Sequence, residues 1–296
     1  MRSAHIGSRM AGKAFDACNI VLLSLVTILC IYPFYYIFVY SLSDPLAAQG
    51  GVTLLPVEPT LQNYKDIFAL SGISQAFLIS VLRTVLGTVV TLVCCTFFAY
   101  LVTKEELPLR KSLYRFLIVT MYFNAGLIPW YLTMKSLHLT NHFLVYILPT
   151  AISAYFVILI KTFIEQLPPA LEESAKIDGA GYTAILFRII VPLSGPIIAT
   201  IAVFSAVNQW NTWIDNYFLV QSPRLQTLQL VLYDYLKQAN KIASLSELSR
   251  GTEARQLTPE SVRMTITMVV TLPVLFVYPF MQRYFVKGLM LGAIKG

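Results

Sequence analysis

The polar residues best suited to chemistry lie in one short stretch between long apolar segments. This stretch, "LEESAKIDGAGYTAILFRIIVPLSGP", runs from Leu171 to Pro196 and carries five charged side chains, at Glu172, Glu173, Lys176, Asp178 and Arg188. The rest of the sequence offers no Ser–His–Asp set and no paired carboxylates in a plausible frame for catalysis. We therefore expect no catalytic residue in the chain and interpret the stretch as a recognition surface.

Nucleotide and metal chemistry are also poorly supported by the sequence. The segment "GSRMAGKA", Gly7 to Ala14, nearly matches the phosphate-binding pattern G-x-x-x-x-G-K-[ST]. It ends in Ala14, which lacks the hydroxyl that binds Mg²⁺, and no predicted strand precedes it. The histidines, His5, His138 and His142, have no companions at metal-ligand spacing. We therefore predict neither a cofactor nor a metal ion bound to this chain.

The composition is typical of a membrane protein. Of the 296 residues 56% are hydrophobic and 12% are charged, whereas soluble domains carry about 25% charged residues. The formal charge of +7 comes from basic residues at the ends of apolar runs, as membrane orientation requires. No basic stretch is interleaved with exposed aromatic residues, so nucleic-acid binding is not expected.

Six apolar segments are long enough to cross a bilayer, which takes about 20 helical residues. They are 15–43, 75–102, 113–135, 143–164, 193–219 and 262–286. Each is expected to be helical, because hydrocarbon offers no partner for a free backbone N–H or C=O group. The sequence therefore predicts an all-α membrane protein with six transmembrane helices in a single domain, residues 1–296.

The distribution of Lys and Arg predicts which segments face the cytoplasm. Basic residues concentrate before the first span, between spans two and three, around the charged stretch and at the end of the chain. Both termini are therefore expected in the cytoplasm. The cytoplasmic segments are the N-terminus 1–14, the loop 165–192 and the tail 287–296, and the long outer loop is 220–258, with a short helix and a polar loop.

The charged stretch itself predicts two short helices joined at a glycine corner. Pro168 and Pro169 end one helix and suit the first turn of the next, where the following glutamates are favourable. The sequence "DGAG", 178–181, then breaks the helix, and "YTAILFRIIV" forms a second one up to Pro192. We expect exposed small residues on this rigid knob, at Ala170, Ser174, Ala175, Gly179 and Ala180. Physics alone leaves two interpretations open, a docking knob and a plain interfacial connection.

A family resemblance favours the docking interpretation. "EESAKIDGA", followed after nine residues by "IVPLSGP", resembles the EAA loop of ABC importer permeases, the coupling helix that docks on the ATPase subunit. The matching positions are Glu173, Asp178, Gly179, Ala180 and Pro192. Ser174 replaces the first Ala of the pattern, and Val191 stands where Leu is usual. The tail "VKGLMLGAIKG" resembles carbohydrate-uptake permeases of the maltose-system type. The segments "LCIYPFYYIFVYSLSDP", "NAGLIPWYLTMKSLHL" and "NQWNTW" are similar to the oligosaccharide branch, including alginate importers.

The resemblance implies a type I ABC importer permease fold in the bacterial inner membrane. Its implied partners are a second, homologous permease, two ATPase subunits that bind ATP and Mg, and a periplasmic or extracellular solute-binding protein. The implied ATPase-coupling residues are Glu172, Glu173, Ser174, Ala175, Asp178, Gly179 and Ala180. Glu173 is expected to pair with a basic group of the ATPase, and Asp178 to cap or brace the turn. The tail 287–296 is expected to reach the ATPase pair.

Two places stand out as a path for the sugar. Arg83 lies inside the second span, where a charged residue is a functional candidate; it either snorkels to the outer interface or faces a cavity and attracts a sugar carboxylate. "NQWNTWIDNYF", 208–218, offers aromatic faces for sugar rings and amides for hydroxyls, or else an aromatic belt with interhelical hydrogen bonds. The path candidates are Arg83, Asn208, Trp210, Asn211, Trp213, Asp215 and Tyr217.

Two other classes of transporter remain as alternatives. An ion-coupled secondary transporter would need inverted repeats and coordinating groups at mid-depth, and the sequence has no evident repeat and no deep carboxylate except Asp215. A permease for peptides or amino acids in the same superfamily would differ only in the outer loops and the tail.

Overall fold

The computed structural model describes residues 2–52, 54–70, 72–123, 125–245 and 258–293, and no strand occurs within these ranges. The helices of the first half are α1 Arg2–Ser41, α2 Gln62–Ala69, α3 Ile73–Thr103, α4 Arg110–Tyr122, α5 Leu127–Ser136 and α6 Ala154–Ile164. Those of the second half are α7 Ala170–Ile177, α8 Tyr182–Ile185, α9 Val191–Leu193, α10 Gly195–Asn211, α11 Ile214–Leu219, α12 Leu228–Leu245 and α13 Pro259–Ala293. A π-helical segment, Leu186–Ile190, joins α8 to α9. Single 3₁₀ turns lie at Ala47–Gly50, Phe143–Tyr146, Leu148–Thr150 and Pro223–Leu225.

The helices account for three to five of the six predicted spans. In the described part of the chain, Phe15–Ser41, Ile73–Thr103 and Pro259–Val277 are each long and apolar enough to cross a bilayer unbroken. Two further pairs reach that length only as bent units, Phe143–Thr150 with Ala154–Ile164 at 47° and Tyr182–Leu193 with Gly195–Asn211 at 82°. These five candidates are helical except at the two bends. The first arm of the last pair, Tyr182–Leu193, falls in the predicted loop 165–192 apart from Leu193, so only its second arm, Gly195–Asn211, matches the predicted span 193–219.

The predicted third span, 113–135, is divided between α4 and α5. Gly126 adopts a φ of +82° at the junction. Pro129 then occupies the first turn of α5, where its missing N–H costs nothing, whereas a helix running through it would lose a hydrogen bond. Neither α4, with 13 residues, nor α5, with 10 residues, is long enough to span alone.

Proline and glycine also cause the sharpest bend. The helix that begins at Tyr182 continues through Pro192 and ends at Leu193, one residue beyond the predicted end. The chain then turns at Ser194, and Gly195 and Pro196 open α10. Pro196 has no N–H to continue the helical hydrogen bonds, and proline is the usual cause of a sharp helix kink.

The packing divides the chain into two compact units, Met1–Ala69 with Tyr235–Val269, and Leu70–Asp234 with Val270–Gly296. In the first unit the Asn63 amide donates to the carbonyls of Ser41 and Ser43 and so holds α2 against the end of α1. In the second unit α3 is the central element and packs against both α6 and α10.

The second unit has two apolar clusters along α3. One surrounds Cys95, Ala99 and Tyr100 and includes side chains from α4, α6, α7 and α8. The other includes Ile79 and contains Met134, Tyr146 and Leu219. Thr91 and Cys95 of α3 also provide hydrogen-bond partners for backbone groups left free at the break before α6. Thr91 donates to the Thr150 carbonyl at 3.0 Å, and the Ser153 N–H donates to the Cys95 sulfur at 3.4 Å.

Two predicted segments are described only in part. In the predicted outer loop 220–258 the expected short helix is present as α12, Leu228–Leu245, and residues 246–257 lie outside the described residues. In the predicted tail 287–296 the backbone of 287–293 is helical as the end of α13. Residues 294–296 lie outside the described residues.

Candidate functional site

The charged stretch folds as two short helices around a glycine corner, as predicted. We call residues 170–185, which comprise α7, the corner and α8, the elbow. α7 begins directly after Pro169, whose carbonyl accepts hydrogen bonds from the N–H groups of Glu172 and Glu173 at 3.0 and 3.1 Å. Both glutamates lie in the first turn and Lys176 in the last turn, which suits the helix dipole.

The corner is a Schellman motif that requires glycine. The Gly179 N–H donates to the Lys176 carbonyl at 3.0 Å, and the Ala180 N–H donates to the Ala175 carbonyl at 2.9 Å. Gly179 has a φ of +80°, which costs residues with a side chain about 1–2 kcal/mol. The angle between α7 and the following chain is therefore fixed by two hydrogen bonds and one backbone conformation.

The elbow divides the predicted coupling residues into an outward and an inward set. The outward set is Glu173, Ser174, Asp178 and Gly179, all exposed. The prediction that Ala175 is exposed is wrong, because Ala175 is 8% exposed and packs in the apolar cluster around Tyr100. Ala180 is half-buried against the same cluster, and Glu172 turns inward to an ion pair. Next to the outward set, Ile177 is 86% exposed.

Two ion pairs attach α7 to the segment that follows α3. The Lys104 ammonium pairs with Glu172, and these side chains are 12% and 20% exposed. The Lys176 ammonium donates to Glu106 Oε1 at 2.9 Å, and the Tyr182 hydroxyl donates to the same oxygen at 3.0 Å. Neither Lys104 nor Glu106 was predicted as a functional residue from the sequence. The available signal was a lysine and a glutamate shortly after the second predicted span, at Lys104 and Glu106. Their charges are complementary to those of Glu172 and Lys176 on α7.

The hydrogen bonds at Glu106 shift the pKa values of both partners. The bond from Lys176 lowers the pKa of Glu106 to about 2, and the Glu106 carboxylate raises the pKa of Lys176. A carboxyl with a lowered pKa contributes stability above its unfolded pKa and loses it as pH falls through the folded value. The Glu106–Lys176 pair is therefore charged on both sides at neutral pH, and the contribution of the Glu106 carboxylate is lost progressively as pH falls from its unfolded pKa toward about 2.

A second polar cluster surrounds Arg83, far from the elbow along α3. Arg83 is 1% exposed, and its guanidinium forms a two-point ion pair with Asp215, with Nη1 to Oδ1 at 3.0 Å and Nη2 to Oδ2. Its Nε donates to Gln209 Oε1 at 3.1 Å, and Nη1 also donates to the Thr212 carbonyl at 2.9 Å. The guanidinium carbon lies 4.6 Å from the ring centre of Tyr146. The structure thus has Arg83 buried and paired inside the protein.

Gln209 extends this cluster and requires a glycine opposite it. Its Nε2 donates to Thr150 Oγ1 at 2.7 Å, so it joins Arg83 to the 3₁₀ turn before α6. A Cβ atom on Gly87 would lie 2.5 Å from Gln209 Nε2 and 2.6 Å from its Cδ. The absence of a side chain at Gly87 therefore permits α3 and α10 to approach closely with the glutamine between them.

A cavity of about 810 Å³ lies beside the ion pair. Its wall includes the α4–α5 junction, Trp130, Pro149, Thr150 and Asp215. Asp215 is one of the predicted path residues that line it, whereas Arg83 lies behind Asp215. The wall thus presents one carboxylate and one indole to the open space, among proline, threonine and apolar side chains.

The remaining path candidates form two other groups. The Trp210 indole is buried, donates to the Val270 carbonyl at 2.9 Å and packs edge-on against Phe77, so it joins α10 to α13. Trp213 stacks on Tyr233 with ring centres 4.2 Å apart, and Tyr217 packs edge-on against Trp213. Asn208 and Asn211 are exposed, and Asn211 Oδ1 accepts a hydrogen bond from Gln229 at 3.2 Å. The predicted residues therefore do not converge on one pocket.

Comparison with known proteins agrees with the resemblance at the elbow. Residues 96–290 match the family described as "Binding-protein-dependent transport system inner membrane component". The chain belongs to this family. The matched region contains the whole elbow, the Lys104–Glu106 segment and Asp215, and the predicted kinship with ABC importer permeases is thereby confirmed.

Individual members of the permease family match nearly the whole chain. Protein LplC of Bacillus subtilis (strain 168) is 37% identical over 288 residues, covering 97% of this chain and 96% of that protein. The polygalacturonan/rhamnogalacturonan transport system permease protein YtcP of the same organism is 34% identical over 290 residues, covering 97% and 100%. A crystal structure of a bacterial ABC transporter involved in the import of the acidic polysaccharide alginate contains a chain with a TM-score of 0.83 and 29% identity, covering 92% and 97%. The fold is therefore the type I ABC importer permease fold.

Proposed function

We propose that this chain is the transmembrane subunit of an ATP-driven importer that carries an acidic oligosaccharide across the bacterial inner membrane. In this proposal it crosses the membrane six times with both termini in the cytoplasm. It pairs with a second, homologous permease. Two ATPase subunits bind ATP and Mg on the cytoplasmic side, and a soluble binding protein delivers the sugar from outside. The chain itself hydrolyses nothing and works by alternating access.

The observation that carries the proposal is the braced elbow. A coupling element must transmit a rigid-body movement, and so it must not flex where it joins the membrane domain. The Schellman turn at Gly179 and the two ion pairs of α7 supply that stiffness. The outward face, with Glu173, Ser174 and the exposed Ile177, offers a charge, a small side chain and an apolar tip to a partner. In this proposal Glu173 meets a basic group of the ATPase.

The nature of the sugar is proposed from the relatives and the cavity. YtcP is named for polygalacturonan and rhamnogalacturonan, and the matched solved transporter for the acidic polysaccharide alginate. Polygalacturonan, like alginate, carries carboxylates on its sugar rings. In this chain Arg83 is already paired with Asp215. We therefore propose that this subunit contributes the cavity beside Asp215 and the Trp213–Tyr217 aromatic group to the path, and that cationic contacts to the sugar come from elsewhere in the importer.

Reconstitution of the complete importer tests this function. The two permeases, the ATPase subunits and the binding protein are assembled in liposomes, and uptake of labelled oligoalginate, oligogalacturonide and a neutral maltooligosaccharide is measured with ATP and with a non-hydrolysable analogue. We expect uptake of an acidic oligosaccharide that requires ATP hydrolysis. Uptake driven by an ion gradient without ATP would contradict the importer assignment, and uptake of the neutral sugar alone would contradict the acidic substrate.

A further inference from the structure

The two ion pairs that hold α7 are crossed: α7 contributes the acidic residue to one pair and the basic residue to the other. α7 presents Glu172 and Lys176 one turn apart, and the segment after α3 presents Lys104 and Glu106 opposite them. Lys104 meets the glutamate and Glu106 meets the lysine. A shift of α7 by one turn along this segment would bring Lys176 to Lys104, and like charges in contact repel. The crossed arrangement therefore fixes both the position and the direction of α7 on the end of α3.

The two pairs differ in how firmly they hold. The Lys104–Glu172 pair is largely shielded from solvent, and the Lys104 ammonium lies 4.0 Å from the ring centre of Tyr100. The Glu106–Lys176 pair is more exposed, at 57% and 40%, and solvent screens such pairs. Its support comes from the hydroxyl of Tyr182 on α8. One pair thus anchors α7, and the other ties the segment to both helices of the elbow.

α3 carries a second ionic attachment at Arg83, in the first half of the helix. Lys104 directly follows the last residue of α3, and Arg83 lies within the same helix. The helix between them is about 30 Å long at about 1.5 Å per residue, which is close to the thickness of the hydrocarbon core. Arg83 binds Asp215 of α11 and Gln209 of α10. A single unbroken helix therefore joins the elbow to the cluster beside the cavity.

We propose that α3 receives the movement of the elbow through the crossed ion pairs and transmits it to the Arg83–Asp215 cluster. Lys104 and Glu106 are then positioning residues that act through α7, in addition to the covalent connections of the elbow to α6 and α10. The inference rests on the proposed function, because it concerns the route by which ATPase-driven movement reaches the membrane domain.

Charge reversal and charge exchange in the reconstituted importer test this route. The exposed pair is examined with Glu106→Lys, Lys176→Glu and the two changes combined. Substitutions at these exposed positions are less disruptive to folding than substitutions in the shielded pair. The shielded pair is examined with Lys104→Glu, Glu172→Lys and the two combined. The readout is sugar taken up per ATP hydrolysed, measured on complexes whose assembly with the ATPase subunits is verified by co-elution. Glu105→Lys is the matched control, because Glu105 is in the same segment but pairs with Arg110 of α4.

We expect a single reversal in the shielded Lys104–Glu172 pair to lower uptake per ATP about tenfold, a loss within the range of coupling between distant sites. A single reversal in the solvent-screened Glu106–Lys176 pair should lower it less, about threefold. Each exchanged pair restores uptake to within about twofold of the wild type, because residues in contact are not additive, and Glu105→Lys leaves it unchanged. Single-reversal variants that transport like the wild type, or exchanged pairs that restore no uptake, would overturn the route through α3. The importer assignment would still stand in that case, provided that the wild-type complex takes up sugar. A wild-type complex that hydrolyses ATP without taking up sugar would overturn both.

Discussion

Arg83 and Asp215 stand 132 positions apart in the sequence and form a two-point ion pair that is almost completely buried. The pair joins α3 to α11, and the guanidinium has two further acceptors, on Gln209 and on the backbone of Thr212. The Arg83 side chain is only 1% exposed. Its first role is therefore to fix three helical elements together beside the cavity.

This burial predicts a loss of stability when either partner is removed. Arg83→Ala or Asp215→Ala leaves an unpaired buried charge, which costs about 3–5 kcal/mol. Arg83→Met combined with Asp215→Leu removes both charges and is expected to cost less than either single change. Thermal unfolding of the detergent-solubilised complex measures the effect. A double variant less stable than both single variants would contradict the pairing.

The same variants separate a structural role from direct sugar binding. A cavity-facing arginine would make Arg83→Ala lower uptake of charged sugars more than that of neutral ones. Since Arg83 is paired with Asp215, we expect residual uptake to fall by the same factor for charged and neutral oligosaccharides. A selective loss for charged sugars, measured in the same liposomes, would show that Arg83 binds the sugar.

Gly179 is predicted to be essential for coupling. Gly179→Pro removes the N–H that donates to Lys176 and cannot reach a φ of +80°, so transport should be lost while membrane insertion persists. Gly179→Ala should cost about 1–2 kcal/mol at this backbone conformation, and Gly179→Asn should retain more transport than Gly179→Ala.

Gly181 provides the matched control for Gly179. Its φ is −74°, and a Cβ there meets no atom within 4 Å. Gly181→Ala is therefore expected to transport like the wild type. Normal uptake by Gly179→Pro, or an equal loss in Gly181→Ala, would argue against the Schellman turn as the rigid part of the elbow.

Gly87 is predicted to tolerate no side chain. Gly87→Ala places a methyl group against the Gln209 amide, and such overpacking typically costs about 1–3 kcal/mol. Gly195→Ala is the control, because a Cβ at Gly195 meets no atom within 4 Å. Thermal unfolding of the two variants measures the difference, and equal unfolding temperatures would mean that α3 and α10 have room to separate.

Local signals in the sequence predicted the elbow well. The order of two prolines, two glutamates and the Asp-Gly-Ala-Gly corner is enough to predict two short helices and a left-handed glycine, because each residue acts on its own backbone. The inward turn of Ala175 and Glu172 escaped prediction. It depends on Tyr100 and Lys104, which lie on another helix and contact α7 only after folding.

The spans and the sugar path were harder to predict for related reasons. An apolar run such as 113–135 shows that a segment prefers hydrocarbon, but the break at Gly126 and Pro129 decides whether it is one helix or two. For Arg83, the sequence showed a charge in an apolar helix. Its partner Asp215 was visible as the deep carboxylate, yet only the packing of α3 on α10, which leads directly into α11, brings the two together.

The elbow's role is tested most directly by photo-crosslinking from Ile177 in the assembled importer. A photoreactive amino acid at Ile177, which is 86% exposed beside the outward set, should form crosslinks with an ATPase subunit. The same amino acid at Phe116 of α4, which is 70% exposed, serves as the control and should form none. Crosslinks from Phe116 alone, or an Ile177 position that never reaches an ATPase subunit in any nucleotide state, would contradict docking by the elbow.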